Sequence, residues 1–514
     1  MNGAERLIRT AITHGLEVCF ANPGTTEMPL VNALDSVPGM RAVLGLHENV
    51  CTGAADGYAR ITGKPALTLL HLGPGFANGL ANLHNARRAF SPVVNLIGEH
   101  AAWHLAADPP LASDIELLTR WAGAWTRRAT APGGLGRDMT ETIAAATARR
   151  GGVASLIVPH DLQLAEVRET ADPPFRRERW LSLDPALVDA AAQLLAAARR
   201  PAFLLGGNAL FGPGLATAGR IAAMTGAVLI GEVGFARMDL GRGRPAVLRL
   251  PYFPEQAAAL LAGFDAVVVA GTKLPVSFFG YHDKPARYLE GRADVCHLAA
   301  SEEDAAAALD ALEQSLPRRA DATPAKLPEA PTPATSGLDA AGIGRVLAAG
   351  QPEDAIVVLT AVSSGGPYGL YALDAPPHTQ LALTGGAIGE GMALALGAAV
   401  AAPDRRVINL EADGSGAYML QALWSQARLG AKITTLICSN RSYHILELEQ
   451  QRAGNSPGPI AADLTRLDDP ALDWPGIARG LGVPGETVED PSGLEQALER
   501  GIATDGPYLV EARM

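Results

Sequence analysis

Aromatic residues are scarce in this sequence, 5% of the total, so its cores have to be built from Ala, Leu, Val and Ile. Cysteine is scarcer still. Cys19, Cys51, Cys296 and Cys438 lie far apart and none belongs to a CxxC pair, which argues against a disulfide framework or a structural zinc site and fits a reducing cytoplasm. No basic block dominates, and the net charge is −12. Neutralising phosphates takes clustered Lys and Arg, so neither a nucleic acid nor an anionic membrane surface is expected as a partner. No uninterrupted apolar run reaches the ~18–20 residues of a membrane span. The first residues, Met1 to Arg6, enter an amphipathic pattern rather than a signal-peptide core.

What is present points to folded enzyme architecture. Apolar residues make up 48% and charged residues 19% of the 514, which excludes disorder over most of the length. At ~100–200 residues per domain, about three domains are expected. Two segments read as connectors. Residues 165–184 contain Asp172-Pro173-Pro174 and a run of charged residues, and residues 317–337 carry Pro317, Pro324, Pro328, Pro331 and Pro333. Proline at that density prevents a regular helix. The expected domains are therefore 1–165, 185–316 and 338–514. Each alternates short apolar runs with helical patterns, for example Ala66–His71, Val93–Gly98, Ala266–Gly271, Ile356–Leu359, Val407–Leu410 and Ile433–Cys438. That alternation predicts an α/β fold of three doubly wound parallel-sheet domains, with ligands beyond the carboxyl ends of the strands.

The most informative such end is Glu411-Ala412-Asp413-Gly414-Ser415-Gly416. The following strand ends in Ser439-Asn440-Arg441-Ser442-Tyr443. One βαβ unit of ~30 residues sets the ends of its two strands side by side, so a carboxylate and an amide oxygen converge. Gly414 lets a ligand approach the backbone. Oxygen donors suit a hard cation such as Mg²⁺, which takes substrate phosphate oxygens readily. By themselves, Asp413-Gly414-Ser415 could equally be a turn and helix cap. Similarly, Glu48 follows the apolar run Val43–Leu46 and opens an Ala/Gly-rich helix, where a bland role beside the helix dipole is available.

Taken together, these segments resemble the thiamin-diphosphate-dependent 2-oxo acid decarboxylase and acetolactate synthase superfamily. Its Gly-Asp-Gly…Asn-Asn motif departs twice here, with Ala412 for the first Gly and Ser439 for the first Asn. The resemblance implies that Asp413, Asn440 and the carbonyl of Ser442 hold Mg²⁺ on the cofactor diphosphate, with Gly414, Ser415, Tyr443 and His444 along it. It implies that Glu48 hydrogen-bonds a ring nitrogen of the cofactor aminopyrimidine. In Thr384-Gly385-Gly386-Ala387-Ile388-Gly389, Gly386 allows close approach and Ile388 matches the residue that props the cofactor in its bent form. Ser363 and Ser364 align with cofactor- or substrate-facing positions. Asn22-Pro23-Gly24-Thr25-Thr26-Glu27 and His71 resemble benzoylformate decarboxylase, which places Thr25, His71 and, on a looser match, His282 on the substrate; His100 stands at another strand end.

The resemblance further implies a pyrimidine-binding, a central and a diphosphate-binding domain. It implies a homodimer as the minimal unit, sites built across two subunits and, by analogy, a homotetramer. The implied activity is decarboxylation of a 2-oxo acid followed by release or carboligation. Two alternatives stay open: acetolactate synthase proper, with FAD in the central domain, and a catalytically silent regulatory paralogue.

Overall fold

The computed structural model describes residues 1–168, 174, 178, 180, 183–282, 284–291, 293–317 and 327–514. Strands β1 (Val18–Asn22), β2 (Arg41–Leu44), β3 (Ala66–His71), β4 (Val93–Glu99), β5 (Trp125–Arg128) and β6 (Val153–Pro159) form the first sheet. Its order is β2-β1-β3-β4-β6-β5, and every pair is parallel. Side chains alternate along each strand, so each face feeds its own core: Ala66 and Leu70 pack on one side of β3, Leu67 and Leu69 on the other. Burial on both faces is what makes these strands read as continuous apolar runs.

The central sheet contains β7 (Pro201–Leu205) and β8 (Val228–Gly231). After β9 (Met238–Leu240), which belongs elsewhere, it adds β10 (Val247–Arg249), β11 (Ala266–Ala270) and β12 (Asp294–Ala299) in the order β10-β8-β7-β11-β12. The third sheet has β13 (Ile356–Leu359), β14 (His378–Ala382), β15 (Val407–Ala412), β16 (Ile433–Ser439), β17 (Gly485–Val488) and β18 (Tyr508–Arg513). Counted from its own first strand, it repeats the strand order of the first sheet. Two parts without evident sequence repetition thus share one winding.

One feature departs from the expected parallel sheets. The buried strand β9, from the central segment, pairs antiparallel with β14 at the edge of the third sheet. It covers backbone groups that β14 would otherwise present as an open edge. The expected strand Val43–Leu46 is shifted two residues earlier, to Arg41–Leu44, and the Gly45 N–H to Ala21 O bond is the last rung of its ladder to β1.

The first and third parts meet through two helices, Glu48–Thr62 and Gly391–Ala401. Val50, Ala54, Tyr58, Met392, Ala393 and Leu396 share one core. Gly397 is needed at the crossing, since a Cβ there would stand 1.9 Å from Ala54 O. The first connector falls largely outside the described residues, as does 318–326 of the second; 327–337 has neither helix nor strand. All four cysteines are buried and unpaired. Among the described residues no helix is long and apolar enough to cross a membrane.

Candidate active site

At the third sheet, β15 pairs with β16 up to Ala412 and Cys438, so Asp413 and Asn440 leave the sheet as neighbours. The Asp413 side chain is buried, its Oδ2 accepting the Arg441 N–H at 2.6 Å and its Oδ1 the Gly414 N–H at 2.8 Å. Arg441 adopts a positive φ of 56°, which curls the loop until Ser442 N–H reaches Asn440 Oδ1 at 3.0 Å. Bonds from Tyr443 N to Thr465 O and from Leu467 N to Arg441 O, both 2.7 Å, fix the loop from outside. The Tyr443 ring lies over Gly414, where a Cβ would come within 2.6 Å of it. Burial pushes the Asp413 carboxyl up, while the two amides pull it back. A desolvated carboxylate beside an amide oxygen, with no Lys or Arg side chain among the described residues bonded to it, is a donor set for a hard cation. Among the described residues no cluster of three or more His, Cys, Asp or Glu could hold a metal by itself. The residues fit a cation that completes its shell with oxygens of a second bound molecule.

The loop before helix Gly391–Ala401 flanks this site. Gly386 and Gly389 take positive φ values of 80° and 94°. Gly389 N–H donates to the buried Ser415 Oγ at 3.2 Å. Side chains of the first part hold the same loop: Asn85 Nδ2 donates to Ala387 O at 2.8 Å, and His84 Nε2 lies 3.1 Å from Gly385 O. Ile388 is partly buried, and Gly386 faces the Phe278 ring. Ser363 is partly buried in the turn after β13, and His444 pairs with Glu447 at 3.0 Å.

At the first sheet, Glu48 is the first residue of its helix, capped by His47, whose Nδ1 accepts Asn49 N–H at 3.1 Å. It is buried, and its Oε2 accepts a hydrogen bond from Asn78 at 3.0 Å. Gly75 leaves it room, because a Cβ there would stand 2.9 Å from Oε1. His71 closes β3 with Nδ1 at 2.7 Å from Glu27 Oε2. The Glu27 carboxylate has no exposed surface and also accepts Gly24 N–H at 2.8 Å and the Thr26 hydroxyl at 2.6 Å. An acceptor at Nδ1 assigns the ring proton there and leaves the lone pair on Nε2.

Two family models match the chain: the thiamine pyrophosphate enzyme N-terminal TPP binding domain over residues 1–115, and the corresponding C-terminal TPP binding domain over 365–512. IlvX of Mycobacterium tuberculosis, named as a candidate acetolactate synthase large subunit, is 44% identical over 99% of this chain and 98% of its own. This chain belongs to the thiamin-diphosphate-dependent enzymes. Benzoylformate decarboxylase of Pseudomonas aeruginosa is 29% identical over 97% of this chain and 96% of its own. The solved structure of a thiamine diphosphate-dependent 4-hydroxybenzoylformate decarboxylase from Rhodococcus jostii RHA1 superposes with a TM-score of 0.88 at 26% identity, covering 100% of this chain and 99% of that one. Its likeness extends the α/β assignment to the whole chain.

Within this thiamin-diphosphate enzyme the remaining expected residues scatter. Thr25 is exposed, and it is Thr26 that lies beside His71, at 3.3 Å. His282 is exposed on a turn of the central segment. His100 keeps a buried Nε2 without a partner, its ring 6.1 Å from that of His104. Sequence reasoning missed Glu27, Asn78 and the His84–Asn85 pair as working residues. It also missed His160, whose Nδ1 lies 3.1 Å from Thr26 O. Glu27 could have been found as an acid three residues after the NPG turn; the others depend on loop geometry that periodicity does not encode.

Proposed function

We propose that this enzyme decarboxylates a 2-oxo acid with thiamin diphosphate and Mg²⁺, the acyl unit then being released as an aldehyde or joined to a second carbonyl compound. The observation that carries the reading is the curled Asn440–Tyr443 loop bonded to Asp413 beneath the Tyr443 ring. Asp413, Asn440 and the Ser442 carbonyl would hold Mg²⁺, with Gly414, Ser415, Tyr443 and His444 along the diphosphate. The cofactor, when bound, supplies the carbanion and the electron sink. Glu48 would bond the aminopyrimidine from the positive end of its helix, and Ile388 and Gly386 would shape the space between. His71, set by Glu27, would present Nε2 to the substrate for proton transfer, while Thr25, His282 and Ser363 are assigned to substrate or cofactor by the family likeness alone. No part of this reading requires FAD.

The proposed division is a pyrimidine-binding domain over 1–165, a central domain over 185–316 and a diphosphate-binding domain over 338–514. Glu48 and Asp413 belong to different sheets and share no hydrogen bond within one chain. Leu44 and Leu46, just before Glu48, and Trp103 and Trp121 are exposed. A second copy burying them would complete each site, which supports a homodimer, and pairs of dimers give a homotetramer. The test is to strip the protein of cofactor, add thiamin diphosphate with and without Mg²⁺, and screen a panel of 2-oxo acids for CO₂ and products by mass spectrometry. Release that needs both additions supports the reading; no release from any 2-oxo acid overturns it.

A further inference from the structure

The central sheet reverses its winding between β7 and β11, since the chain builds β8 and β10 on one side of β7 and then crosses to add β11 and β12 on the other. The crevice beyond such a reversal is where open parallel sheets bind dinucleotides, with the diphosphate against backbone N–H groups of a glycine turn. The crevice here has that turn: Gly206 follows β7, Gly207 comes next with φ of +55°, and Gly271 follows β11 with φ of +73°. The groups that would bind a diphosphate are already engaged.

Glu232, just after β8, points its carboxylate into the turn. Its Oε2 accepts the Thr272 hydroxyl at 2.7 Å, and the Gly207 N–H faces it; burial raises the carboxyl, while Arg150, that hydroxyl and the N–H pull it back towards the anion. A Cβ at Gly206 would come within 2.8 Å of Oε1. From the first part, Arg150 enters the same crevice and faces this carboxylate. Its guanidinium donates to Gly271 O at 3.3 Å and Ser301 O at 3.2 Å and lies 4.2 Å over the Phe90 ring. A Cβ at Gly207 would touch the Arg150 Cζ at 3.1 Å. A backbone amide, a hydroxyl and an arginine around one anion are the surroundings of a bound diphosphate; here the anion is a side chain. Gly206 and Gly271 also approach too closely to leave a gap, as a Cβ on Gly271 would stand 2.4 Å from Gly206 O.

We infer that Glu232 is a built-in anion filling the diphosphate position of the central sheet, so that the chain carries no flavin or other dinucleotide there and Arg150 ties the first part to the central one instead. This stands apart from the proposed catalytic site: a decarboxylase that binds flavin would refute it without touching that reading.

The test is calorimetric titration of the thiamin-diphosphate-loaded protein with FAD, ADP and inorganic pyrophosphate as probes. The wild type should purify without a flavin absorption band and show no saturable binding of any probe. Glu232→Ala, which keeps Arg150, Thr272 and the Gly207 amide, should bind pyrophosphate or ADP saturably, with a Kd at least about tenfold below the highest probe concentration at which the wild type shows none. Glu232→Gln keeps the shape, guards against failure to fold and should show a gain in the same direction. Saturable FAD or ADP binding by the wild type overturns the inference, as do folded variants that bind no better than the wild type.

Discussion

Replacing Gly397 by alanine should loosen the contact that carries Glu48. A Cβ there would lie 1.9 Å from Ala54 O, 2.7 Å from Ala54 C and 2.8 Å from Tyr58 N. All three are backbone atoms of the helix that Glu48 opens, so no rotamer change relieves the clash. From the opposite side Gly57 meets Leu394 O, at 2.1 Å from its own would-be Cβ. The helices must therefore part by about 1.5 Å to restore van der Waals distance. Overpacking of this kind costs ~1–3 kcal/mol, and a rigid backbone obstacle puts it at the upper end. Alanine returns ~1 kcal/mol of helix propensity, leaving a net loss of about 2 kcal/mol. For units of this size that lowers the thermal midpoint by ~4–8 °C. The assay is apparent melting at fixed protein and cofactor concentration, with Gly480→Ala as control, since a Cβ at Gly480 meets nothing. The control should stay within ~1 kcal/mol. An unchanged or raised midpoint for Gly397→Ala would refute the close helix crossing.

Other outcomes follow from buried polar groups. Arg60 makes paired hydrogen bonds to Asp56 and lies 3.6 Å from Glu390, all three side chains being almost wholly buried. Arg60→Met should destabilise by ~3–5 kcal/mol, because it strands two carboxyls; a denaturation midpoint near wild type would contradict this. Burial lowers the His378 pKa to about 4 from 6.5, and its Nε2 lies 3.0 Å from Gln380 Nε2 while Nδ1 lies 2.8 Å from Pro376 O. Because the unfolded chain takes up the proton first, this stability is full above pH 6.5 and is lost as pH falls towards 4, by up to about 3 kcal/mol. His378→Gln should flatten that part of the stability–pH curve. Glu27→Gln should remove a charge-assisted bond worth ~1.5–3 kcal/mol from the His71 ring, cutting turnover by ~10- to 150-fold with little change in cofactor affinity; an equal loss of cofactor binding would argue against a positioning role.

Much of the fold was legible. Ala66–His71 and Ile356–Leu359 are strands with the bounds read from the sequence, because buried parallel strands are continuous apolar runs closed by glycine or polar residues. The Asp413–Asn440 convergence was legible too, since a βαβ unit dictates it. β9 was not: three residues carry no period, and only the open edge of β14 gives them a place. The Glu27–His71 pair was half legible, as local sequence marks both residues but not the turn that joins them. Thr25 and Thr26 are indistinguishable by composition, and the short 3₁₀ turn at Thr25–Glu27 decides which one faces His71.

The central claim is that Glu48 and Asp413 serve one cofactor in different ways, and a single set of reconstitutions tests it. Cofactor-free wild type, Glu48→Gln and Asp413→Ala would each be titrated with thiamin diphosphate and Mg²⁺, with cofactor binding and CO₂ release from the active 2-oxo acid measured on the same samples. The account predicts that Glu48→Gln binds the cofactor but loses turnover by ~100-fold or more, and that Asp413→Ala loses Mg²⁺-dependent binding itself. Wild-type turnover in Glu48→Gln, or unaltered Mg²⁺-dependent binding in Asp413→Ala, would contradict it.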